Sequence, residues 1–124
     1  MAKILLVDDE AGMCLIMKDF LKEAGYEMTT ASNGKEAITL YPQVNPDLIL
    51  LDLGLPDLNG REVLKDVKAK CPQIKVVIIS AYADQRTQIE LYNLGADYFL
   101  AKPFMPEELQ ETVKRVLIRE SRNV

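Results

Sequence analysis

The sequence predicts an α/β fold in which helices wind over both faces of a parallel sheet. Three observations carry that prediction. Four short runs, Ile4–Val7, Leu48–Leu51, Val76–Ile79 and Tyr98–Ala101, are almost wholly apolar. Unbroken apolar runs of that length suit strands covered on both faces. Helical periodicity alternates with these runs, and the connections are short and rich in Gly, Pro and Asp. Such alternation builds a doubly wound α/β layer structure, and right-handed crossovers put helices on both sides. A length of 124 residues fits one domain, which we assign to residues 1–120, with 121–124 as a polar tail.

Each element has its own signal. Ile4–Val7 forms the first strand. In residues 11–24, Met13, Ile16, Met17, Phe20, Leu21 and Ala24 recur at helical spacing and predict one inward apolar face. Cys14 then lies at the flank of that helix, Leu15 points outward, and Gly25 is the stop. Tyr26–Ala31 is more polar and reads as an edge strand. Lys35–Tyr41 is a short helix ended by Pro42. Leu48–Leu51 is the third strand. Asn59–Lys70 is a helix with Val63, Leu64 and Val67 inward. Val76–Ile79 is followed by a helix over Asp84–Leu94, with Ile89 and Leu91 or Leu94 inward and Gly95 as its stop. Tyr98–Ala101 precedes a helix over Pro106–Ile118, where Pro106 suits the first helical position and Glu107 and Glu108 favour the positive end of the helix dipole.

Composition narrows the function. Net charge is −4 with no polybasic run, which argues against unaided binding to nucleic acid or anionic membranes. No apolar run approaches the roughly 20 residues of a membrane span. Met1-Ala2-Lys3 leads straight into a strand and lacks a signal-peptide layout, so a cytoplasmic protein is expected. Cys14 and Cys71 lie far apart without CxxC spacing and read as reduced packing residues. The chain has no histidine, which removes histidine acid–base chemistry and histidine metal ligation.

The chemistry collects where the strands end. In a parallel sheet the carboxyl ends share one rim, where ligands of open α/β sheets bind. The first strand runs into Asp8 and Asp9, the third into Asp52, the fourth into Ser80 and the fifth into Lys102. Three carboxylates together repel one another and call for a compensating cation. Lys102 supplies one charge, and Mg²⁺, which favours carboxylates, carbonyls and water, suits the rest. Soft ligands are missing, so zinc is disfavoured. Carboxylates, an amine and a hydroxyl make a phosphoryl-binding site. Two acids can hold the metal while the third attacks phosphorus to give an acyl phosphate. Asp52 is the preferred nucleophile because it stands alone, whereas Asp8 and Asp9 form an adjacent pair.

The segments "ILLVDDE" at 4–10, "PDLILLDLGLPDLNG" at 46–60, "VVIISAY" at 76–82 and "GADYFLAKPF" at 95–104 together resemble the receiver domain of two-component response regulators, over Lys3 to about Ile118. The resemblance implies a flavodoxin-like sheet of order 2-1-3-4-5. It implies that Asp52 is the phosphoacceptor, fed by a sensor histidine kinase or a histidine phosphotransfer protein. It assigns Asp8, Asp9, Asp52 and the backbone carbonyl of Gly54 to Mg²⁺, with Mn²⁺ able to substitute and Asp9 a direct ligand. Ser80 is the switch hydroxyl, Phe99 the switch aromatic and Lys102 the phosphate-binding lysine, followed by a cis Lys102–Pro103 bond. Gly54 and Tyr82 occupy positions that tune dephosphorylation in the family.

Such a domain is a regulatory phosphoacceptor that catalyses only its own phosphorylation and dephosphorylation, and it signals by presenting a changed face to a downstream protein. The outward Leu15 suggests a contact for the phosphodonor. A stand-alone receiver of chemotaxis or sporulation-phosphorelay type is expected. The alternatives are a receiver belonging to a larger DNA-binding regulator and an interaction module independent of phosphorylation. The latter is expected to lack one of Asp9, Asp52 or Lys102. An aspartyl-phosphate phosphatase calls for a D-x-D motif after the first strand, and a nucleotide or flavin module for a Gly-rich loop there; "DDEAGMC" provides neither.

Overall fold

The computed structural model describes residues 1–57, 60–81 and 84–122, with the side chains of 119–122 left aside. Five parallel strands, β1 (Lys3–Val7), β2 (Glu27–Ala31), β3 (Leu48–Asp52), β4 (Lys75–Ser80) and β5 (Tyr98–Ala101), form one sheet of order β2-β1-β3-β4-β5. Five helices alternate with them: α1 (Ala11–Glu23), α2 (Gly34–Val44), α3 (Gly60–Lys70), α4 (Gln85–Asn93) and α5 (Pro106–Arg122). This is the doubly wound order expected above. None of the described helices is long and apolar enough to cross a membrane.

Side chains alternate across each strand, and the core divides accordingly. Leu5, Val7, Ile49, Leu51, Val76 and Ile78 pack beneath α2, α3 and α4, where Ala37, Tyr41, Val63, Leu64, Val67 and Leu91 meet them. Ile4, Leu6, Leu48, Leu50, Val77 and Ile79 face Met17 and Leu21 of α1 and Leu109, Val113 and Val116 of α5. β1, β3 and β4 are central and buried on both faces. β5 is an edge strand with Tyr98 and Phe99 half-buried and Ala101 exposed, although its sequence reads like the central three.

Four helical expectations are corrected. α2 runs through Pro42 to Val44 and ends at Asn45, which takes φ +53°. Proline in the last turn removes one donor only, and the fully buried Tyr41, whose hydroxyl donates to Asp66 Oδ2 at 2.7 Å, holds the helix against α3. Met13 and Ile16 of α1 are 37% and 59% exposed. The apolar arc of α1 is wider than its contact with the sheet, which Met17 and Leu21 fill, while Cys14 packs partly against that core. Ile89 is exposed because it lies two residues from the buried Leu91, and helical positions two apart do not share a face. α5 continues past Ile118 to Arg122. Asn59, the expected start of α3, and Tyr82 lie outside the described residues. Gly25 and Gly95 do end α1 and α4, with φ of +102° and +108°.

Candidate functional site

The β1, β3 and β4 strands carry an acid or hydroxyl to the same rim because their register is fixed by central pairing. Asp8 extends β1, its N–H donating to the Ala31 carbonyl of β2 at 3.0 Å. Asp52 is the last residue of β3 and lies opposite Ile79. Ser80 closes β4, opposite Ala101, and its carbonyl accepts the Lys102 N–H at 2.9 Å. Lys102 is thereby hung from the end of β4 as the chain leaves β5, and the Lys102–Pro103 bond that follows is cis.

Side chains from these positions meet. The Lys102 ammonium donates to Asp52 Oδ2 at 3.0 Å, and the Gly54 N–H donates to Asp52 Oδ1 at 2.9 Å. One oxygen from each of Asp8, Asp9 and Asp52 lies within 4.8 Å of the others. Asp9 is exposed, whereas Asp8, Asp52 and Ser80 are buried. Asp8 Oδ1 accepts the Glu10 N–H at 2.9 Å, but Asp8 Oδ2 is buried without a hydrogen-bond partner. A buried acceptor with no donor costs about 1–3 kcal/mol.

The electrostatics follow from crowding. Burial pushes the Asp8 carboxyl above the ordinary range, and the charges of Asp52 and Asp9 push the same way; the Glu10 N–H and Lys102 oppose them. Burial alone works to lower the Lys102 ammonium, but the hydrogen bond and charge of Asp52, with Asp8 and Glu10, hold it above the usual lysine value. Three carboxylates thus face one ammonium. The residues fit a hard divalent cation on two counts: every donor is a carboxylate oxygen, and Asp8 Oδ2 is an acceptor in need of a positive partner. Beside the site, a depression of about 370 Å³ between α1 and β2 is lined by Asp8, Asp9, Cys14, Leu15 and Lys18. Burial and the Asp8 charge push the Cys14 thiol up, which keeps it protonated and unreactive at neutral pH.

Phe99 is half-buried on the face of β5 toward α2, α3 and α4, and Tyr98 packs on the opposite face. The structure therefore brings Asp8, Asp9, Asp52, Gly54 and Lys102 together, with Ser80 at the adjoining strand end and Phe99 two positions before Ala101. One contact next to these residues is not legible in the sequence. Asp57 accepts the N–H groups of Gly34 and Lys35 at 2.8 and 2.9 Å, tying the loop after Asp52 to the start of α2. The "PD" turn signal marks a loop, but nothing local to it names its partner.

Comparison with known proteins places the chain as a whole. The chain matches the family described as response regulator receiver domain over residues 4–114. It is 36% identical to the chemotaxis protein CheY of Thermotoga maritima, covering 92% of this chain and 96% of that one. It is 36% identical to sporulation initiation phosphotransferase F of Bacillus subtilis, covering 93% of each. A probable transcriptional regulator, ycf27 of Guillardia theta, is 38% identical over 94% of this chain, which spans only 46% of that longer protein. Among solved structures, a CheY-like receiver domain protein of Methanospirillum hungatei superposes with a TM-score of 0.95 at 29% identity, covering 100% and 99% of the two chains. The response regulator TrrA of Thermotoga maritima, solved in complex with Mg(2+)-BeF, gives 0.84 at 36% identity, covering 94% and 99%.

Proposed function

The chain belongs to the response regulator receiver domain family, a regulatory phosphoacceptor class of signal transduction, and from that membership we propose how its own residues do the work. Asp52 accepts a phosphoryl group from a phosphohistidine of a sensor kinase or phosphotransfer protein. A carboxylate oxygen of Asp52 forms the O–P bond as the donor's P–N bond breaks, and the electron pair returns to the imidazole. Asp8, Asp9, Asp52 and the Gly54 carbonyl would hold Mg²⁺, or Mn²⁺ in its place, and the ion would supply positive charge to offset that of the phosphoryl oxygens. Lys102 follows the negative charge from Asp52 Oδ2 onto the transferred group. Ser80 donates its hydroxyl to a phosphoryl oxygen, and Phe99 repacks as Ser80 moves. The outcome is a population shift between two packings of the face made by α4, β5 and α5, read by a downstream protein. Residues 1–120 act as the switching unit.

One observation carries the reading most directly. Asp52 is buried at the strand end, its two oxygens engaged by an ammonium and an N–H, beside an acid whose own oxygen lacks a donor. A merely structural acid has no need of that surplus negative charge. Solved TrrA in complex with Mg(2+)-BeF supports magnesium as the ion. The docking face is proposed around Leu15, which is 57% exposed and lines the depression that opens on Asp8 and Asp9.

The test is labelling by a small phosphodonor with Mg²⁺. Wild type should incorporate one phosphoryl group per chain, labile to alkali and to hydroxylamine, as an acyl phosphate is. Asp52→Asn should incorporate none. Undiminished labelling of Asp52→Asn overturns the acceptor assignment.

A further inference from the structure

We propose that Asp57 is a positioning residue for the metal site, acting by clamping the loop after Asp52 to the first turn of α2; this rests on the metal reading above. The loop from Leu53 to Asp57 has to hold Gly54 in place. Its N–H sits on Asp52 Oδ1, and its carbonyl is the one assigned to the cation. Several anchors among the described residues set the loop's path, including the Leu53 N–H, which donates to the Ile79 carbonyl at 3.0 Å. Leu53 and Leu55 pack against the core beneath α2, α3 and α4. The Gly60 N–H donates to the Leu53 carbonyl at 3.2 Å, and a Cβ on Gly60 would lie 3.0 Å from Leu53 Cα and 3.1 Å from the Asp52 carbonyl oxygen, so α3 starts hard against the strand end. A further anchor is Asp57, which accepts two N–H groups of α2.

The α2 terminus does not depend on Asp57 alone. Asn33, the N-cap, accepts the Glu36 N–H at 2.8 Å, and the Glu36 carboxylate accepts the N–H of the preceding residue, Ser32, at 2.8 Å, so the helix start is capped by local residues. Local residues therefore nucleate the helix, and Asp57 adds a bond across 22 positions of sequence that only the loop's position explains. Because α2 is itself fixed on α3 through Tyr41 and Asp66, the clamp refers the loop to a rigid element. Partners behind the direct metal ligands typically govern affinity by 10–100-fold.

The experiment compares Asp57→Ala with Asn33→Ala, using calorimetric titration with MgCl₂ on the full chain and thermal unfolding in EDTA. Both variants lose cap bonds, so both should lower the melting temperature by a similar few degrees. Only Asp57→Ala should weaken Mg²⁺ binding, by about tenfold, and its labelling by a small phosphodonor should return to the wild-type rate at saturating Mg²⁺. Asp57→Asn, which keeps one acceptor oxygen, should fall between and serves if the alanine variant does not fold. Equal Mg²⁺ affinity in wild type and the Asp57 variants overturns the clamp while leaving the metal site standing. Equal weakening in Asn33→Ala overturns it too, since helix capping alone would then suffice. A wild type that binds no Mg²⁺ overturns the metal reading, and the clamp with it.

Discussion

Asp8 is buried to 2% exposure with one carboxylate oxygen lacking a donor, beside two further acids. Its carboxyl is raised because the fold resists the ionised form, first by burial and then through Asp52 and Asp9. A group that binds its proton more tightly when folded favours the fold most below the unfolded value, about pH 4 for aspartate. That advantage is lost as pH rises through the folded value, so at neutral pH an ionised Asp8 is a liability in the absence of metal. Asp8→Asn should accordingly raise the melting temperature in EDTA at pH 7 by roughly 4 °C, equivalent to about 1 kcal/mol. The difference from wild type should vanish below about pH 4. Wild type should gain stability with MgCl₂ and lose it again with EDTA, whereas Asp8→Asn should respond little. Thermal scans across pH, with and without metal, check all three outcomes; an Asp8→Asn protein less stable than wild type in EDTA at pH 7 contradicts the argument.

At the scale of elements, local signals were legible where one residue type has one physical role. Gly25 and Gly95 stop α1 and α4 with positive φ, and the central strands announced themselves because burial on both faces leaves no polar position. What failed depended on partners remote in sequence. Pro42 reads as a stop, but packing of Tyr41 on Asp66 carries α2 two residues further. β5 lies at the edge, as the expected order requires, but its apolar run reads as covered on both faces, whereas Tyr98 and Phe99 are only half-buried and Ala101 is exposed. The two stop glycines also differ in a testable way. A Cβ at Gly25 meets nothing within 4 Å, whereas at Gly95 it would lie 2.9 Å from Lys68 Cγ. Lys68 has little room to yield, for its ammonium donates to the carbonyls of Pro72 and Ile74 and to Asp97. Gly25→Ala should cost about 1 kcal/mol, the ordinary strain of an alanine at positive φ. Gly95→Ala should cost about 2–3 kcal/mol, because overpacking is added to strain. Urea unfolding measures both, and equal losses would show that the Lys68 clamp gives way freely.

Across the whole molecule the two rims of the sheet treat their acids differently, and this separates structure from function. At the rim where strands begin, Asp47 accepts the Lys3 N–H, and Asp97 accepts the Val76 N–H and the Lys68 ammonium, with Lys75 at 3.9 Å. Those acids are satisfied and hold elements together. At the rim where strands end, Asp8 is left short of a donor and Asp9 faces solvent. The sequence placed Asp8, Asp9, Asp52, Ser80 and Lys102 at that second rim because strand direction alone decides it. It did not reveal which acids would be satisfied, since that depends on lysines and N–H groups arriving from other elements.

If Asp52 is the acceptor as proposed, the same asymmetry directs a phosphodonor over the strand ends, past the start of α1. Leu15 and Ile16 are 57% and 59% exposed there, and Met105 after Lys102 is 64% exposed. Apolar side chains flanking a charged site suit a helical protein donor that buries them while delivering its phosphoryl group, but a small phosphodonor has no surface to press on them. Leu15→Arg should therefore slow transfer from a phosphorylated histidine phosphotransfer protein by roughly tenfold, the effect of losing about 1.4 kcal/mol of contact. Labelling by a small phosphodonor should stay within about twofold of wild type, a difference worth only some 0.4 kcal/mol. Parallel time courses with the two donors separate the outcomes: loss with both would mean that the substitution damaged the site itself, and loss with neither that the donor docks elsewhere.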